Sequence, residues 1–139
     1  MSRHSAFALA LLLTAGPVFG EGFRLVGNPG IRISSLPRAT VAVLFLKKAQ
    51  KLSDGTHVVV VDQSDKNAAR TAFTATVYGK PVDAIKSYWR QQIFSGRDLP
   101  PVEKASDDEV LEYVRNTPGA IGYVSDTAAV GGLKTIEVR

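Results

Sequence analysis

The sequence contains no cysteine, a single methionine, a single tryptophan and two histidines in 139 residues. The missing cysteine excludes a disulfide scaffold, a thiolate-bound zinc or iron–sulfur centre, a cysteine nucleophile and a lipid carried on an N-terminal cysteine. His57 is the sole histidine beyond residue 20, and with no thiolate partner it reads as a surface residue beside a turn rather than a metal ligand. No serine sits in a Gly-x-Ser-x-Gly elbow and no Walker-type loop is present. No catalytic residue, metal or cofactor is therefore expected. Basic residues outnumber acidic ones by 17 to 13, but Arg32, Arg38, Lys47, Lys48, Lys51, Arg90 and Arg97 are scattered. They lack the density and aromatic interleaving of a nucleic-acid surface, so no nucleic-acid partner is expected.

What is present is an ordinary globular composition, 45% hydrophobic and 22% charged, which excludes a disordered chain. The start is different in kind. Arg3 and His4 precede the apolar run Ala6–Ala15, and Gly16-Pro17-Val18-Phe19-Gly20 closes it with mostly small residues. A basic start, a short apolar stretch and a small-residue exit have the form of a secretory signal. The reading is residues 1–20 as signal peptide, cleaved after Gly20, and 21–139 as one exported, periplasmic domain of 119 residues. No later apolar run reaches the roughly 20 residues that span a bilayer, so the mature chain is not expected to be membrane-embedded.

Along that domain, Phe23–Val26 reads as a strand closed by the turn cluster Gly27-Asn28-Pro29-Gly30. Ser34-Ser35-Leu36-Pro37 suggests a helix start, with Ser35 as cap, ahead of the apolar stretch Ala39–Leu46. The run of four valines, Val58–Val61, predicts a strand buried on both faces inside a parallel sheet. Asp62–Asn67 reads as a polar loop. Ala69, Phe73 and Val77 then mark one face of a helix, and Val82, Ile85, Trp89 and Ile93 an apolar stripe on the next. Ser95–Pro101 holds too many breakers for a helix. Ser106 and Glu109 have capping-box spacing ahead of Val110, Leu111 and Val114. The acidic group Asp107-Asp108-Glu109 suits the positive end of that helix better than acid–base chemistry. Ala120–Val124 and Leu133–Val138 read as strands, and the alternation of strands with helices argues an α/β fold.

Several landmarks then fall in a recognisable order. Val43-Leu44-Phe45-Leu46-Lys47-Lys48 is followed by Ser53-Asp54-Gly55, the valine strand and Asp62. After these come Arg70-Thr71-Ala72-Phe73, Tyr88-Trp89, Ile93-Phe94-Ser95-Gly96, Pro100-Pro101 and Thr117-Pro118-Gly119-Ala120-Ile121-Gly122-Tyr123-Val124. From Phe23 to Val138 the chain resembles the phosphate-type substrate-binding proteins of bacterial ABC transporters. That resemblance implies a single lobe of the type II periplasmic-binding-protein fold, a mixed, mostly parallel sheet flanked by helices, where full-length members have two lobes closing on an oxyanion.

In that family an Arg-x-Asp-Gly-Ser-Gly-Thr loop ahead of a helix holds the phosphate, using the free N–H groups and partial positive charge of the helix start. The matching stretch is Gln63-Ser64-Asp65-Lys66-Asn67-Ala68-Ala69-Arg70. Asp65 is kept. Gln63 replaces the arginine, and Asn67-Ala68-Ala69 replaces Ser-Gly-Thr, leaving Ser64, Lys66 and Arg70 as substitutes. The candidate ligand residues are thus Gln63, Ser64, Asp65, Lys66, Asn67, Ala68 and Arg70, with Asp65 or Asn67 as a plain helix cap the competing reading. Two functions stay open: weak binding of phosphate or another small oxyanion, and an envelope interaction or assembly module that kept the fold and lost the site. The face a second lobe would cover could, on the first, pair two copies into a homodimer that rebuilds a cleft, and an envelope protein is the partner the second implies.

Overall fold

A computed structural model describes residues 22–139; the expected signal segment and its cleavage point lie outside the described residues. The chain runs β1 (Arg24–Gly27), β2 (Ser35–Leu36), α1 (Arg38–Phe45), β3 (Val59–Gln63), α2 (Ala68–Tyr78), α3 (Val82–Phe94), β4 (Val102–Lys104), α4 (Asp107–Asn116), β5 (Ala120–Val124) and β6 (Lys134–Val138). The strands form one six-stranded sheet in the order β2-β6-β1-β5-β3-β4. β1 runs against both its neighbours, and every other pairing is parallel. The sheet is therefore mixed and mostly parallel, with helices on both faces, as the α/β alternation requires. No helix among the described residues is long and apolar enough to cross a membrane.

Strand periodicity sorts side chains between two cores. Leu25, Val60, Ile121 and Tyr123 face a larger core shared with Val41, Leu44 and Phe45 of α1 and Ala69, Phe73 and Val77 of α2. Their neighbours Val26, Val61, Ala120 and Val124 face a smaller core closed by Val110, Leu111 and Val114 of α4. In the larger core the Phe73 and Tyr123 rings stack with centroids 4.0 Å apart, which ties α2 to β5. The Pro-Gly-Ala-Ile-Gly string has a steric reason. A Cβ on Gly122 would come within 2.6 Å of Val61 and 2.9 Å of Val110, so its absence lets α4 lie close on the sheet. Gly119 adopts φ +77°, and a Cβ there would collide with the His57 carbonyl.

Three expectations are corrected, and one element was not foreseen. Ser35 does not cap a helix: it pairs with Glu137 in β2, and Pro37 occupies the N-cap position of α1. Pro37 ends the strand and favours the helix that follows through its fixed φ. The valine strand continues through Asp62 and Gln63, both buried, so the polar loop starts at Ser64. The apolar stripe of α3 buries only Ile85 and Trp89, whereas Ile93 is 49% exposed. A short strand, β4, follows the breaker-rich segment and forms one edge of the sheet. The serine half of the capping box forms as its spacing predicts, with Ser106 accepting from the Glu109 N–H at 3.2 Å, while Glu109 reaches one residue further back and accepts from the Ala105 N–H at 2.8 Å.

Candidate functional site

β3 and β4 lie side by side and parallel, so the helices that follow them, α2 and α4, start at the same edge of the sheet. The carboxyl ends of parallel strands are where α/β sheets place ligands, because helix starts and short loops gather there. Ser64–Asn67 is the loop between β3 and α2. The Ser64 N–H donates to the Lys104 carbonyl at 2.9 Å, and the Asn67 amide donates to the Ala105 carbonyl at 2.7 Å. The two helix starts are thereby stitched together.

Behind the loop lies a buried polar network that residue patterns did not reveal. The Asp62 carboxylate accepts from the Gln63 N–H at 2.9 Å and from the Tyr123 hydroxyl, and stands 3.3 Å from the Arg70 guanidinium. Arg70 also donates to the Gln63 carbonyl at 2.8 Å and lies 3.7 Å from Glu103. The Gln63 side chain donates to Asp107 at 3.0 Å and to the Tyr123 carbonyl at 3.2 Å. Asp107 accepts in addition from the Ser125 N–H, at 3.0 Å, and from its hydroxyl. A buried charge needs such pairing to be tolerated. Burial pushes the Asp62 carboxyl above its usual range, against the opposing pull of Arg70, Tyr123 and the Gln63 N–H. Burial and the facing Asp62 also push the Tyr123 hydroxyl well above its ordinary value.

The sequence candidates thus divide into two groups. Gln63 and Arg70 are buried and bonded inward, the guanidinium compensating Asp62 rather than facing the loop. Asp65 and Lys66 are exposed, with Ser64 and Asn67 half-buried beside them. Asp65 is neutralised by Lys86 of α3 at 2.7 Å, and that hydrogen bond and charge hold its carboxyl below the usual value. The Ser64 hydroxyl accepts from the Lys66 N–H at 3.3 Å.

Asn67 occupies the N-cap position of α2, with extended backbone at φ −100° and ψ 137°, yet its side chain makes no capping bond and no acidic residue lies in the first turn. Neither Asp65 nor Asn67 caps the helix, in contrast to the plain-cap reading, because each is committed elsewhere. The N–H groups at Ala68 and Ala69 begin α2 without a side-chain acceptor from the cap position.

Sequence reasoning missed the roles of Tyr123, Asp107 and Ser125. The one available signal was an ionisable residue, Asp62, directly continuing a β-branched strand. No grouping of histidine, aspartate or glutamate able to hold a metal ion occurs among the described residues.

No protein-family model and no curated protein matches the chain. Solved structures do. The chain is similar to a phosphate-bound protein from Clostridium perfringens described as a phosphate ABC transporter substrate-binding protein, at TM-score 0.66 and 17% identity, covering 84% of this chain and 44% of that one. It is also similar to an ABC-type phosphate transport receptor from Vibrio cholerae, at TM-score 0.65 and 13% identity, covering 84% and 46%. A third match is PstS from Borrelia burgdorferi, at TM-score 0.57 and 16% identity, covering 85% and 47%. The chain has the fold of these substrate-binding proteins and spans less than half their length.

Proposed function

We propose that this chain is a non-catalytic, exported binding domain that takes phosphate or a similar small oxyanion weakly at the start of α2. The observation that carries the reading is the contrast between an uncapped helix start and the cation pairing of Asp62 and Asp65 beside it. Asp62 is offset by Arg70 and Asp65 by Lys86, so an anion arriving at Ala68 and Ala69 meets backbone donors and the helix dipole, with Lys66 and Ser64 alongside. The shared fold with a phosphate-bound protein supports a small oxyanion as the class of ligand. Affinity is limited because the guanidinium is spent on Asp62 and the loop is open to water, which screens exposed charge pairs. We expect a dissociation constant on the order of 1 mM.

Titration of phosphate into phosphate-free protein, followed by backbone amide NMR, tests this. Saturable shifts are expected at Ala68 and Ala69. Ala68→Asp places a carboxylate in the first turn, which abolishes those shifts and stabilises the helix by about 0.3–1 kcal/mol. Absence of any saturable shift in the parent chain overturns the reading.

A second reading, an interaction or assembly module, is favoured by one specific observation. Gln63 and Arg70, two of the ligand positions implied by the resemblance, are bonded into the interior. In that case phosphate leaves the amides of α2 unmoved.

A further inference from the structure

The C-terminal end of α3 carries a feature that the oxyanion reading does not use. Phe94 is 92% exposed, Leu99 65% and Ile93 49%, all within one helix end and the loop after it. Burying such side chains would be favourable if something covered them, so their joint exposure is unusual for an α/β surface. The segment is held in place. Ser95 ends the helix by donating its hydroxyl to the Gln91 carbonyl at 2.8 Å. Lys47 donates to Asp98 at 3.2 Å and to the Leu99 carbonyl at 3.0 Å, so the end of α1 pins the loop.

Exposed cations lie near this tip, Arg90 with its guanidinium donating to the Ser87 hydroxyl at 2.9 Å. Arg90 and Arg97 are exposed on either side of Ile93 and Phe94 in the chain. Lys48, also exposed, lies over the Tyr88 ring at 5.7 Å, which brings it against α3. The acidic residues between Asp107 and Glu112 lie on α4, across the sheet. The one acidic residue in the tip loop, Asp98, is paired with Lys47, so the exposed Arg90, Arg97 and Lys48 leave the tip's surroundings net positive.

We infer that this tip docks on an anionic lipid surface, with Phe94, Leu99 and Ile93 entering the interfacial layer and Arg90, Arg97 and Lys48 meeting the headgroups. Two observations favour lipid over protein. A side chain as exposed as Phe94 protrudes, which suits a fluid interface that closes around it better than a second preformed surface. Two copies meeting tip to tip would set like-charged collars against each other, whereas anionic headgroups complement them. The site is separate from the start of α2: Lys86, which reaches Asp65, stands two turns of α3 before Phe94, about 12 Å along the axis.

Flotation of the full chain with phosphatidylcholine vesicles, with and without phosphatidylglycerol, tests the inference. Binding is expected with phosphatidylglycerol, weaker without it and weaker with added salt. Phe94→Ser with Leu99→Ser, and separately Arg90→Gln with Arg97→Gln, are each expected to lower partitioning by about tenfold or more. Every variant keeps residues 1–21, so any contribution from that segment is common to all. The altered side chains are exposed, and unchanged thermal melting verifies the fold. Ala68→Asp is expected to bind vesicles like the parent chain, which separates headgroup phosphate at the tip from oxyanion binding at α2. Equal partitioning of parent and tip variants overturns the inference. So does a dimer, seen by light scattering, that Phe94→Ser dissolves.

Discussion

Helices α2 and α4 start side by side at one edge of the sheet, joined by the Asn67–Ala105 hydrogen bond, and they close their first turns in opposite ways. α4 is sealed by its own side chains: Ser106 accepts from the Glu109 N–H, the Glu109 carboxylate accepts from the Ala105 N–H, and Asp107, Asp108 and Glu109 all lie in the first turn. α2 has no side-chain cap and no acidic first-turn residue, and the polar residues before it are tied to other elements. Negative charge at a helix start is stabilising whether it belongs to the chain or arrives from solution. α4 supplies its own, and α2, on the function proposed above, would take it from an external anion. The buried Asp62–Arg70 pair sits behind α2 and keeps the nearest guanidinium from acting as a clamp.

The largest effect is expected from breaking that brace. Asp62→Asn leaves Arg70 buried with only Glu103, 3.7 Å away and half exposed, as a charged partner. Losing one member of a buried pair costs about 3–5 kcal/mol, and the retained Glu103 places this variant toward the lower end. Urea unfolding measures it, and a loss below about 1 kcal/mol would show that the pair is not what holds α2 to the sheet.

A smaller effect separates the two helix starts. Ser106→Ala removes a real cap and is expected to cost about 0.5–2 kcal/mol. Asn67→Ala removes only a hydrogen bond to Ala105, about 0.5–1.5 kcal/mol, and leaves the capping state of α2 unchanged. Phosphate should stabilise the Asn67→Ala protein as it does the parent, read as a rise in melting temperature. Equal phosphate response after closing α2 with Ala68→Asp would erase the distinction between the two starts.

The smallest effect is electrostatic. Asp62 titrates above the ordinary aspartate value of 3.8, because burial dominates, and Asp65 below it, because Lys86 bonds its carboxylate. Asp62 takes up its proton more readily in the folded chain than in the unfolded one. Its contribution to stability is therefore complete below the unfolded value and is lost as pH rises through the folded value. Asp65 behaves in reverse: its contribution is present above the unfolded value and is lost as pH falls through the folded one. Carboxyl-carbon NMR titration of the two residues checks both directions, and Lys86→Ala should return Asp65 toward 3.8 while leaving Asp62 in place.

The serine half of the α4 capping box was legible because its partners lie three residues apart and meet in any helix built there. The helices of Phe73 and Trp89 and the strand Ala120–Val124 were legible from local periodicity. β2 and β4 were not, since strands of two and three residues carry no pattern of their own and exist only through pairing with β6 and β3. Arg70 shows the same limit at the site. Its position ahead of Phe73 places it in the first turn of α2, but whether it faces the loop or the interior depends on Asp62 and Tyr123, the latter 53 residues away in the chain.

The amino-acid sequence by itself determined the alternation of strands and helices, the two-sided burial of the valine strand and the closed start of α4, because each depends on residues within a few positions of one another. Only the tertiary structure decided that α2 would start open. Asn67 and Asp65 are both competent caps, and what withdrew them is contact with Ala105 and Lys86, brought in by β4 and α3. A hydrogen-bonding side chain has several satisfactory partners within reach of its own backbone, and the packing of distant elements selects among them.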